Sequence, residues 1–406
     1  MLKFLLLPFF ICFATAIIAA EKTITTIEIS GLKRTNESVV RNAINIQEGD
    51  SLDNFNESEV RTSLNRLGLF SNIDISTLED EQGAIVKIAL KEKITKLILP
   101  LAKSGTNETA VGLIFLDSNF LARGDTFIAI AVYGKSTNLY SIVFDNKHFL
   151  DTNFTNKVFL SYDSSQLKNQ QVLNPDIQLE YSQKTARGGY AFGYDFGKFS
   201  TLMGFSYKNF KISNKTTDNM SGETYSVAPS VSIDKMTYTD FLAHGFDGRV
   251  SVARNRTHLD TNTIYSTAFS GQTSYSFKTA DRNKILAGFD VLLSDLPFVE
   301  QSRTGYGRGM RSLVDRNISY QNFLGGTLSN EYLFHYNSTF GFSNITFIET
   351  GKINGEFNKH YVAYTGVGSG VNIYFKKVAI PAVGLYITNN FRTHATQVIF
   401  VMGMSI

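Results

Sequence analysis

The sequence of 406 residues contains very little cysteine and proline, and each shortage restricts what the chain can be. Cys12 is its only cysteine, so neither an internal disulfide nor a metal site built on several cysteines can form. The 6 prolines, beside 33 Phe and 19 Tyr, favour a sheet-rich chain with few kinks. The 39 basic and 36 acidic residues nearly balance, which argues against a nucleic-acid-binding protein.

The first twenty residues are typical of a secretory signal peptide. Lys3 precedes an almost wholly apolar run, 4–18, which is followed by two alanines. This run is short for a membrane-spanning helix, which needs about 20 apolar residues. We therefore expect cleavage before Glu21 rather than a membrane anchor. Cys12 lacks a small residue just before it, so we interpret it as part of the apolar signal and not as a lipid attachment point.

Long apolar runs are also missing from residue 21 onwards. No stretch there approaches the length that a transmembrane helix requires. If this part of the chain enters a membrane, it must do so as a closed sheet, because only helices and barrels satisfy every backbone group in lipid.

Residues 21–95 predict a compact α+β unit with the order strand, helix, helix, strand, strand (βααββ). Asn36 is a candidate N-cap for the first helix. Asn56 followed by Glu59 resembles a capping box for the second helix, and Gly68 ends that helix. Alternating apolar residues then predict two strands around a turn near Gly83.

This unit resembles a POTRA (polypeptide-transport-associated) domain over its whole length. The resemblance rests on short motifs that occur in the family's order. They are IEISGLKRT, IQEGD, RLGLF, SNI and KEK, within residues 27–35, 46–50, 66–70, 71–73 and 91–93.

Residues 96–406 predict a series of β-strands with apolar and small or polar side chains in alternation. Tyr225, Val227 and Val231, for example, alternate with Ser226, Ala228 and Ser232. Export, dense aromatics and segments of about ten residues favour an all-β transmembrane barrel. We predict 16 antiparallel strands, with 14 as the alternative. The least certain stretch is 164–190, where SSQLKNQQVLNP suggests a loop.

The last strand predicts a barrel-closing segment. Its apolar side, Phe400, Met402, Met404 and Ile406, extends to the final residue of the sequence. This resembles the C-terminal signal of outer-membrane barrels, with Ile406 where the usual terminal residue is Phe.

The barrel segment, together with the POTRA-like unit, resembles the BamA/TamA superfamily of outer-membrane assembly proteins. Asn119 and Gly124 belong to a segment that resembles the family's first hairpin, with Ala122 where Gly is expected. Further motifs follow in the family's order and rough spacing: the loop motif Arg308, Gly309 and Met310, the pair Gly325 and Gly326, the strand motif Phe347, Glu349 and Gly351, and the small residues Gly366, Gly368 and Gly370.

The resemblance implies that Arg308, on the sixth extracellular loop, folds into the lumen and binds Glu349. An arginine fork can fix a loop by a bidentate bond to a carboxylate, which lysine cannot copy. The alternative is that Arg308 is a solvated charge on a long loop and that Glu349 lines a wet lumen. Two departures from the family pattern are Met310 in place of an aromatic residue and Glu349 in place of Asp.

No enzyme signature emerges, and the resemblance implies no cofactor. The six histidines form no metalloprotease pattern, and no Gly-x-Ser-x-Gly elbow occurs. The implied location is the bacterial outer membrane, with the POTRA domain in the periplasm. The implied function is assembly, insertion or translocation of proteins by β-augmentation of client strands. The implied partners are outer-membrane lipid, unfolded β-barrel clients and periplasmic or lipoprotein accessory subunits. The alternatives are a two-partner-secretion transporter, a passive pore or an outer-membrane hydrolase.

Overall fold

The computed structural model describes most of the chain after the expected signal peptide. The described residues are 22–79, 83–104, 109–134, 137–147, 149, 152–170, 178–197, 199–214, 219–237, 241–303, 309–313, 318–355, 359–379 and 382–402. The predicted cleavage site before Glu21 lies outside these residues.

The N-terminal part of the described chain is a small α+β domain with the predicted element order. Its elements are β1 (Ile24–Ser30), α1 (Glu37–Ile44), α2 (Glu57–Leu67), β2 (Phe70–Glu79) and β3 (Ala84–Glu92). The central strand β3 is parallel to β1 and antiparallel to β2. Both helices and all three strands contribute to one apolar core, which includes Ile24, Ile27, Val39, Val40, Val60, Leu64, Leu69, Ile73, Val86 and Ile88.

The helix ends follow the predicted capping residues. The side chain of Asn56 accepts hydrogen bonds from the backbone amides of Ser58 and Glu59, at 3.0 and 3.3 Å. Gly68 ends α2 at a φ of 72°, a conformation that favours glycine. Asn36 is the N-cap residue of α1, although its side chain makes no capping bond. Among the described residues, no helix is long and apolar enough to cross a membrane.

In the described part of the chain, sixteen strands form one antiparallel sheet after this domain, which confirms the predicted number. They follow one another from one end of the sheet to the other without a crossover. Two further short strands, β15 (Ser302–Arg303) and β16 (Ser319–Tyr320), pair with each other outside this sheet. The sixteen are β4 (Lys96–Ser104), β5 (Thr109–Phe120), β6 (Asp125–Gly134), β7 (Thr137–Asn146), β8 (Phe154–Gln170), β9 (Gln178–Asp195), β10 (Phe199–Ser213), β11 (Met220–Thr237), β12 (His244–Leu259), β13 (Thr263–Ala280), β14 (Asn283–Ser294), β17 (Asn322–Tyr336), β18 (Phe340–Asn354), β19 (Val362–Phe375), β20 (Ala382–Asn390) and β21 (Ala395–Met402).

The two faces of this sheet are those of a transmembrane barrel. On β11, Tyr225, Val227 and Val231 are exposed, whereas Thr224 and Ser230 on the opposite face are buried. Exposed aromatic and aliphatic side chains recur along the other strands in the same way. This arrangement gives lipid the apolar face and the lumen the polar face.

The stretch that suggested a loop is partly strand. Residues 164–170 continue β8 and pair with β9, from Ser164 opposite Lys184 to Gln170 opposite Gln178. The interpretation of SSQLKNQQVLNP as a loop was therefore wrong for its first seven residues. Its polar composition misled the prediction because backbone pairing needs no apolar side chains.

The chain order of the strands gives each loop its side of the membrane. β4 begins beside the N-terminal domain, and the hairpin turns alternate between the two ends of the sheet from there. The turns 121–124, 281–282 and 337–339 lie at the end that faces this domain. The segment 295–321, between β14 and β17, is the sixth connection at the opposite end.

Candidate functional site

The sixth loop, residues 295–321, folds against the inner wall of the sheet. Its described residues Met310, Leu313 and Ile318 are buried. They form one apolar cluster with side chains of the loop's end and of neighbouring strands, namely Tyr320, Phe323, Ile353, Val362 and Tyr364. The loop is therefore packed into the lumen.

Glu349 on β18 is the charged centre of this packing, with only 1% of its surface exposed. One carboxylate oxygen accepts hydrogen bonds from the backbone amide and the hydroxyl of Ser312, at 2.6 and 2.7 Å. The other accepts from the backbone amide of Arg311 at 3.0 Å. A buried carboxylate is costly unless it is bonded in this way, so these contacts fasten the loop to the wall.

The Arg311 side chain strengthens the same contact. Its Nε lies 3.7 Å from the Glu349 carboxylate, and its Nη2 donates to the hydroxyl of Thr327 at 2.7 Å. The guanidinium centre also lies 3.6 Å from the ring centroid of Phe347. Arg311 is 4% exposed, so the charge of Glu349 and the Phe347 ring stabilise it in a site that excludes most water.

The contacts of Glu349 with Arg311 and Ser312 are called here the Glu349 lock. A further strand, β20, joins this lock through the hydroxyl group of Ser312. Asn390, the last residue of β20, donates from its side chain to the Ser312 hydroxyl at 3.1 Å. On β19, a Cβ at Gly366 would lie 2.1 Å from the same hydroxyl oxygen. A larger residue at 366 would therefore push the loop away from Glu349.

The predicted loop motif, Arg308, Gly309 and Met310, is only partly described in the structure. Arg308 lies outside the described residues, so its pairing with Glu349 stays a prediction. Gly309 has a φ of 74°, and its carbonyl accepts a hydrogen bond from the Tyr364 hydroxyl. Met310 packs in the apolar cluster.

The sequence reasoning missed Arg311. The loop contains two consecutive triplets of arginine, a small residue and an apolar residue, Arg308-Gly309-Met310 and Arg311-Ser312-Leu313. Only the first was matched to the family motif because it retains the glycine. The second triplet was the signal that could have pointed to Arg311.

The first part of the sixth loop is held on the opposite side of the lumen. Glu300 forms an ion pair with Lys208 of β10 at 2.5 Å and accepts from the hydroxyl of Thr224 on β11 at 2.5 Å. Nearby, Arg303 bonds to the hydroxyl of Tyr181 on β9. The loop thus has two anchors, one on β9–β11 and one on β17–β20.

A second buried carboxylate, Glu331 of β17, lies nearer the other end of the lumen. It faces the ammonium group of Lys284 at 3.3 Å and accepts from Ser343 and Asn372 at 2.5 and 2.8 Å. The Tyr374 hydroxyl is a further donor. All of these partners are side chains of the barrel wall, on β14, β18 and β19.

An apolar cluster lies beside Glu331. Phe241 and Leu242, from the connection between β11 and β12, pack there against Leu333, Tyr374 and Ala382. This end of the lumen is therefore filled in part by a connection that folds inward.

The predicted first-hairpin residues form the contact between the two domains. The side chain of Asn119 accepts from the amide of Gly124 at 2.8 Å, which closes the turn between β5 and β6. The same side chain donates to the hydroxyl of Thr35 at 2.9 Å. Gly124 has a φ of 73°, and its absent Cβ would lie 3.3 Å from Val39 of the N-terminal core.

The POTRA-like segment IEISGLKRT and the first barrel hairpin, which were recognised separately in the sequence, are in contact in the structure. Arg34, from the segment IEISGLKRT, binds Asp117, which lies near the end of β5 just before the first hairpin turn, with two nitrogens at 2.6 and 3.1 Å. Asp117 is 1% exposed, so this bidentate pair is largely desolvated on the hairpin side. The backbone amide of Asn36 adds a bond to the carbonyl of Ala122 at 2.9 Å.

Glu92 holds the segment that reaches the hairpin. Its carboxylate accepts from the backbone amides of Arg34, at 3.1 and 3.2 Å, and of Thr35, at 2.7 Å. Partial burial acts to raise the pKa of Glu92. The hydrogen bonds from the side chain and amide of Thr35 and the amide of Arg34 outweigh it, so the pKa is lowered from its ordinary value.

The predicted barrel-closing residues are described only in part. β21 pairs with β20 along its length, including Phe400 opposite Leu385 and Met402 opposite Val383. The next residue positions, including Met404 and Ile406, lie outside the described residues. Val398 is 68% exposed and Ile399 is buried, as the alternation of a barrel strand requires.

Comparison with known proteins supports both halves of this architecture. A family model described as POTRA, "Surface antigen variable number repeat", matches residues 22–93. No curated protein matches the sequence.

Three solved structures share the fold over nearly the whole chain. BamA from Haemophilus ducreyi lacking POTRA domains 1–3 is 13% identical, with a TM-score of 0.53, 94% of this chain covered and 84% of that chain. CdiB from Acinetobacter baumannii is 10% identical, with a TM-score of 0.58 and coverages of 95% and 72%. CdiB from Escherichia coli is 12% identical, with a TM-score of 0.59 and coverages of 94% and 75%.

The fold and the domain match define the class of this protein. It is a bacterial outer-membrane β-barrel protein that carries a periplasmic POTRA domain. Within that class, its fold is the one seen in BamA and CdiB, a POTRA domain followed by a 16-stranded sheet, as the motifs predicted. The end of the barrel beside the POTRA domain is therefore periplasmic, and the sixth loop is extracellular.

Proposed function

We propose that the protein inserts other polypeptides into the outer membrane or moves them across it, and that client strands add to exposed edges of its sheets. The observation that carries the proposal is the direct coupling of the POTRA domain to the first barrel hairpin through Arg34 and Asp117. This contact fixes a periplasmic sheet beside the start of the barrel sheet, so a client strand could pass from one to the other.

The sheet ends suit β-augmentation. β2 lies at one end of the POTRA sheet, and β4 and β21 are the two ends of the barrel sheet. A terminal strand presents backbone donors and acceptors to an incoming strand.

The Glu349 lock would then hold the sixth loop in one pose while the wall near β18–β20 accepts a client. Both triplet arginines belong to this proposal: Arg311 through its contacts with Glu349, and Arg308 as the residue that the family resemblance implies. The clients that fit this chemistry are unfolded β-barrel proteins, with periplasmic or lipoprotein subunits as accessory partners.

Depletion of the protein, followed by outer-membrane proteomics, tests the proposal. Insertase function predicts a fall in several β-barrel proteins, with their unfolded forms accumulating in the periplasm. Loss of one secreted protein alone would instead indicate two-partner secretion. An unchanged proteome combined with ion conductance of the purified barrel would indicate a passive pore and contradict the proposal.

A biochemical test separates direct from indirect effects. Purified protein in lipid vesicles should increase the fraction of a urea-denatured barrel client that becomes heat-modifiable. The variant Asp117→Asn retains side-chain volume but removes the charge that Arg34 binds, so it should fold less client than the parent protein. Equal client folding with empty vesicles would contradict insertase activity.

A further inference from the structure

A groove of about 900 Å³ lies on the outer surface of the barrel, across strands β9–β13. Its walls are aromatic side chains that face outward, among them Phe205, Tyr225 and Tyr265. Gly188 leaves room between them because it carries no side chain, and its absent Cβ would touch Leu160 at 3.1 Å. The groove is thus an apolar recess within the lipid-facing surface.

Two arginines lie on the rim of this recess. In the strand register, Gly188, Tyr207, Tyr225, Arg256 and Tyr265 are successive cross-strand neighbours and therefore share the outward face. Arg254 lies in the next row with Tyr190, Phe205 and Val227, which are also exposed. Both arginine side chains are exposed on this face.

The two guanidinium groups are held close to one ring. Each guanidinium centre lies 5.9 Å from the ring centroid of Tyr265. Arg254 also donates to the hydroxyl of Thr267 at 2.6 Å, which fixes its direction. The arrangement presents two positive charges together beside the apolar recess.

The height of the recess indicates the leaflet that it faces. β12 runs from the periplasmic to the extracellular end, and Arg254 and Arg256 lie within its last six residues. The row of tyrosines at 207, 225 and 265 resembles the aromatic girdle that marks a membrane interface. Arginine is costly at the bilayer centre and tolerated near such an interface, where lipid headgroups supply negative charge.

We propose that this recess binds a phosphate-bearing, multiply acylated glycolipid of the outer leaflet. Arg254 and Arg256 bind the phosphate groups, since planar guanidinium forks suit phosphate oxygens. The acyl chains occupy the recess between Tyr190, Phe205 and Val227. Lys184 and Lys211 are paired on the same face nearer the extracellular end and extend the positive surface. The neighbouring carboxylate of Glu223 accepts a hydrogen bond from the Tyr225 hydroxyl.

The absence of tryptophan from the sequence allows a direct test. Tyr190→Trp places a single fluorophore in the recess of the full protein, in vesicles whose phosphatidylcholine carries brominated acyl chains that quench it. Bisphosphorylated lipid A should displace the quencher at a mole fraction at least about tenfold lower than dephosphorylated lipid A does. In the double variant that carries both Arg254→Gln and Arg256→Gln, this preference for the bisphosphorylated form should fall to less than about twofold.

Two controls use the same outer face. Lys235→Gln removes an exposed charge near the periplasmic end of β11 and should leave the preference unchanged. Ile233→Trp reports from that end and should show no preference. If the double variant fails to give a heat-modifiable barrel, Arg256→Gln alone replaces it in the same titration, with at least a threefold loss expected. Three results would each overturn the proposal. They are equal displacement by the two forms of lipid A, equal displacement by phosphatidylglycerol and bisphosphorylated lipid A, and equal displacement by bisphosphorylated lipid A in the Tyr190→Trp protein with and without the glutamine substitutions.

Discussion

The extracellular and periplasmic parts of the barrel lumen each contain a buried glutamate, and the two are bonded in different ways. Glu349, on the extracellular side, accepts hydrogen bonds from two backbone amides of the sixth loop. Glu331, on the periplasmic side, is bonded only by wall side chains in the described contacts, Lys284 among them. The first carboxylate therefore ties a loop to the wall, and the second braces the wall itself.

The two glutamates therefore contribute differently to the barrel. Loss of the Glu331 contacts would leave Lys284 as a buried charge in the sheet, a cost that the barrel itself bears. Loss of the Glu349 contacts would free residues 309–313 to leave the wall, where water can satisfy their amides. We expect Glu331 to affect stability most and Glu349 to affect function most.

The largest effect is expected for Glu331→Ala. Removing one partner of a buried ion pair costs about 3–5 kcal/mol in proteins. The midpoint of urea unfolding of the heat-modifiable barrel should fall accordingly. Lys235→Ala, an exposed change on β11, is the control and should stay within about 0.5 kcal/mol of the parent. Equal stability of the two variants would show that Glu331 is not a brace.

A smaller stability effect is expected for Glu349→Ala and for Arg311→Ala. Each removes charged hydrogen bonds worth about 1–3 kcal/mol, because the loop can reach water when it is released. Protease cleavage within 295–321 should become faster, and client assembly should fall more than the protein's own abundance. Arg311→Lys should restore little, since the lysine ammonium cannot reproduce the planar fork. Slow cleavage in Glu349→Ala would contradict the lock.

The two triplet arginines can be separated by double-mutant cycles with Glu349. The effects of Arg311→Ala and Glu349→Ala on loop cleavage should be less than additive, because they remove one shared contact. The same cycle with Arg308→Ala tests the pairing that the family resemblance implies. Additive effects with Arg308 and coupled effects with Arg311 would assign the lock to Arg311 alone.

The smallest effect is expected for the pH dependence of the contact between the POTRA domain and the first barrel hairpin, which Glu92 supports. Because the pKa of Glu92 is lowered from 4.5 by folding, its stabilising contribution is complete above pH 4.5 and is lost as the pH falls through the folded value. Distances between single spin labels on the POTRA domain and the barrel should broaden only on acidification below pH 4.5. Glu92→Gln should show the broader distribution at neutral pH. A pH-independent distribution in the parent protein would contradict this role.

Periodicity and capping were enough to predict most of the fold. The caps at Asn56 and Gly68 and the alternation on β11 reflect local backbone rules, so they can be read from consecutive residues. The β8 extension was missed because polar pairing beyond the membrane leaves no hydrophobic pattern.

The site was predicted less well than the fold, for a physical reason. Glu349 was among the predicted residues with Arg308 as its partner, but the contact with Arg311 depends on which loop residue packs at the wall. The contact of Arg34 with Asp117 joins residues 83 positions apart, and only the folded arrangement of two domains brings them together. The partners of Glu331 come from three other strands, β14, β18 and β19, and no local motif encodes the register of those strands relative to β17.

Reversible cross-linking shows whether Glu349 acts by holding the sixth loop against the barrel wall. The Ser312 hydroxyl and the Asn390 side-chain amide are 3.1 Å apart. Cysteines at these two positions are therefore the pair to join by oxidation, so that the cross-link holds the loop without Glu349. In a Glu349→Ala background, the account predicts that oxidation restores client assembly and protease resistance and that reduction abolishes both. Protease resistance without client assembly after oxidation would contradict the claim that Glu349 acts by fixing the sixth loop against the wall.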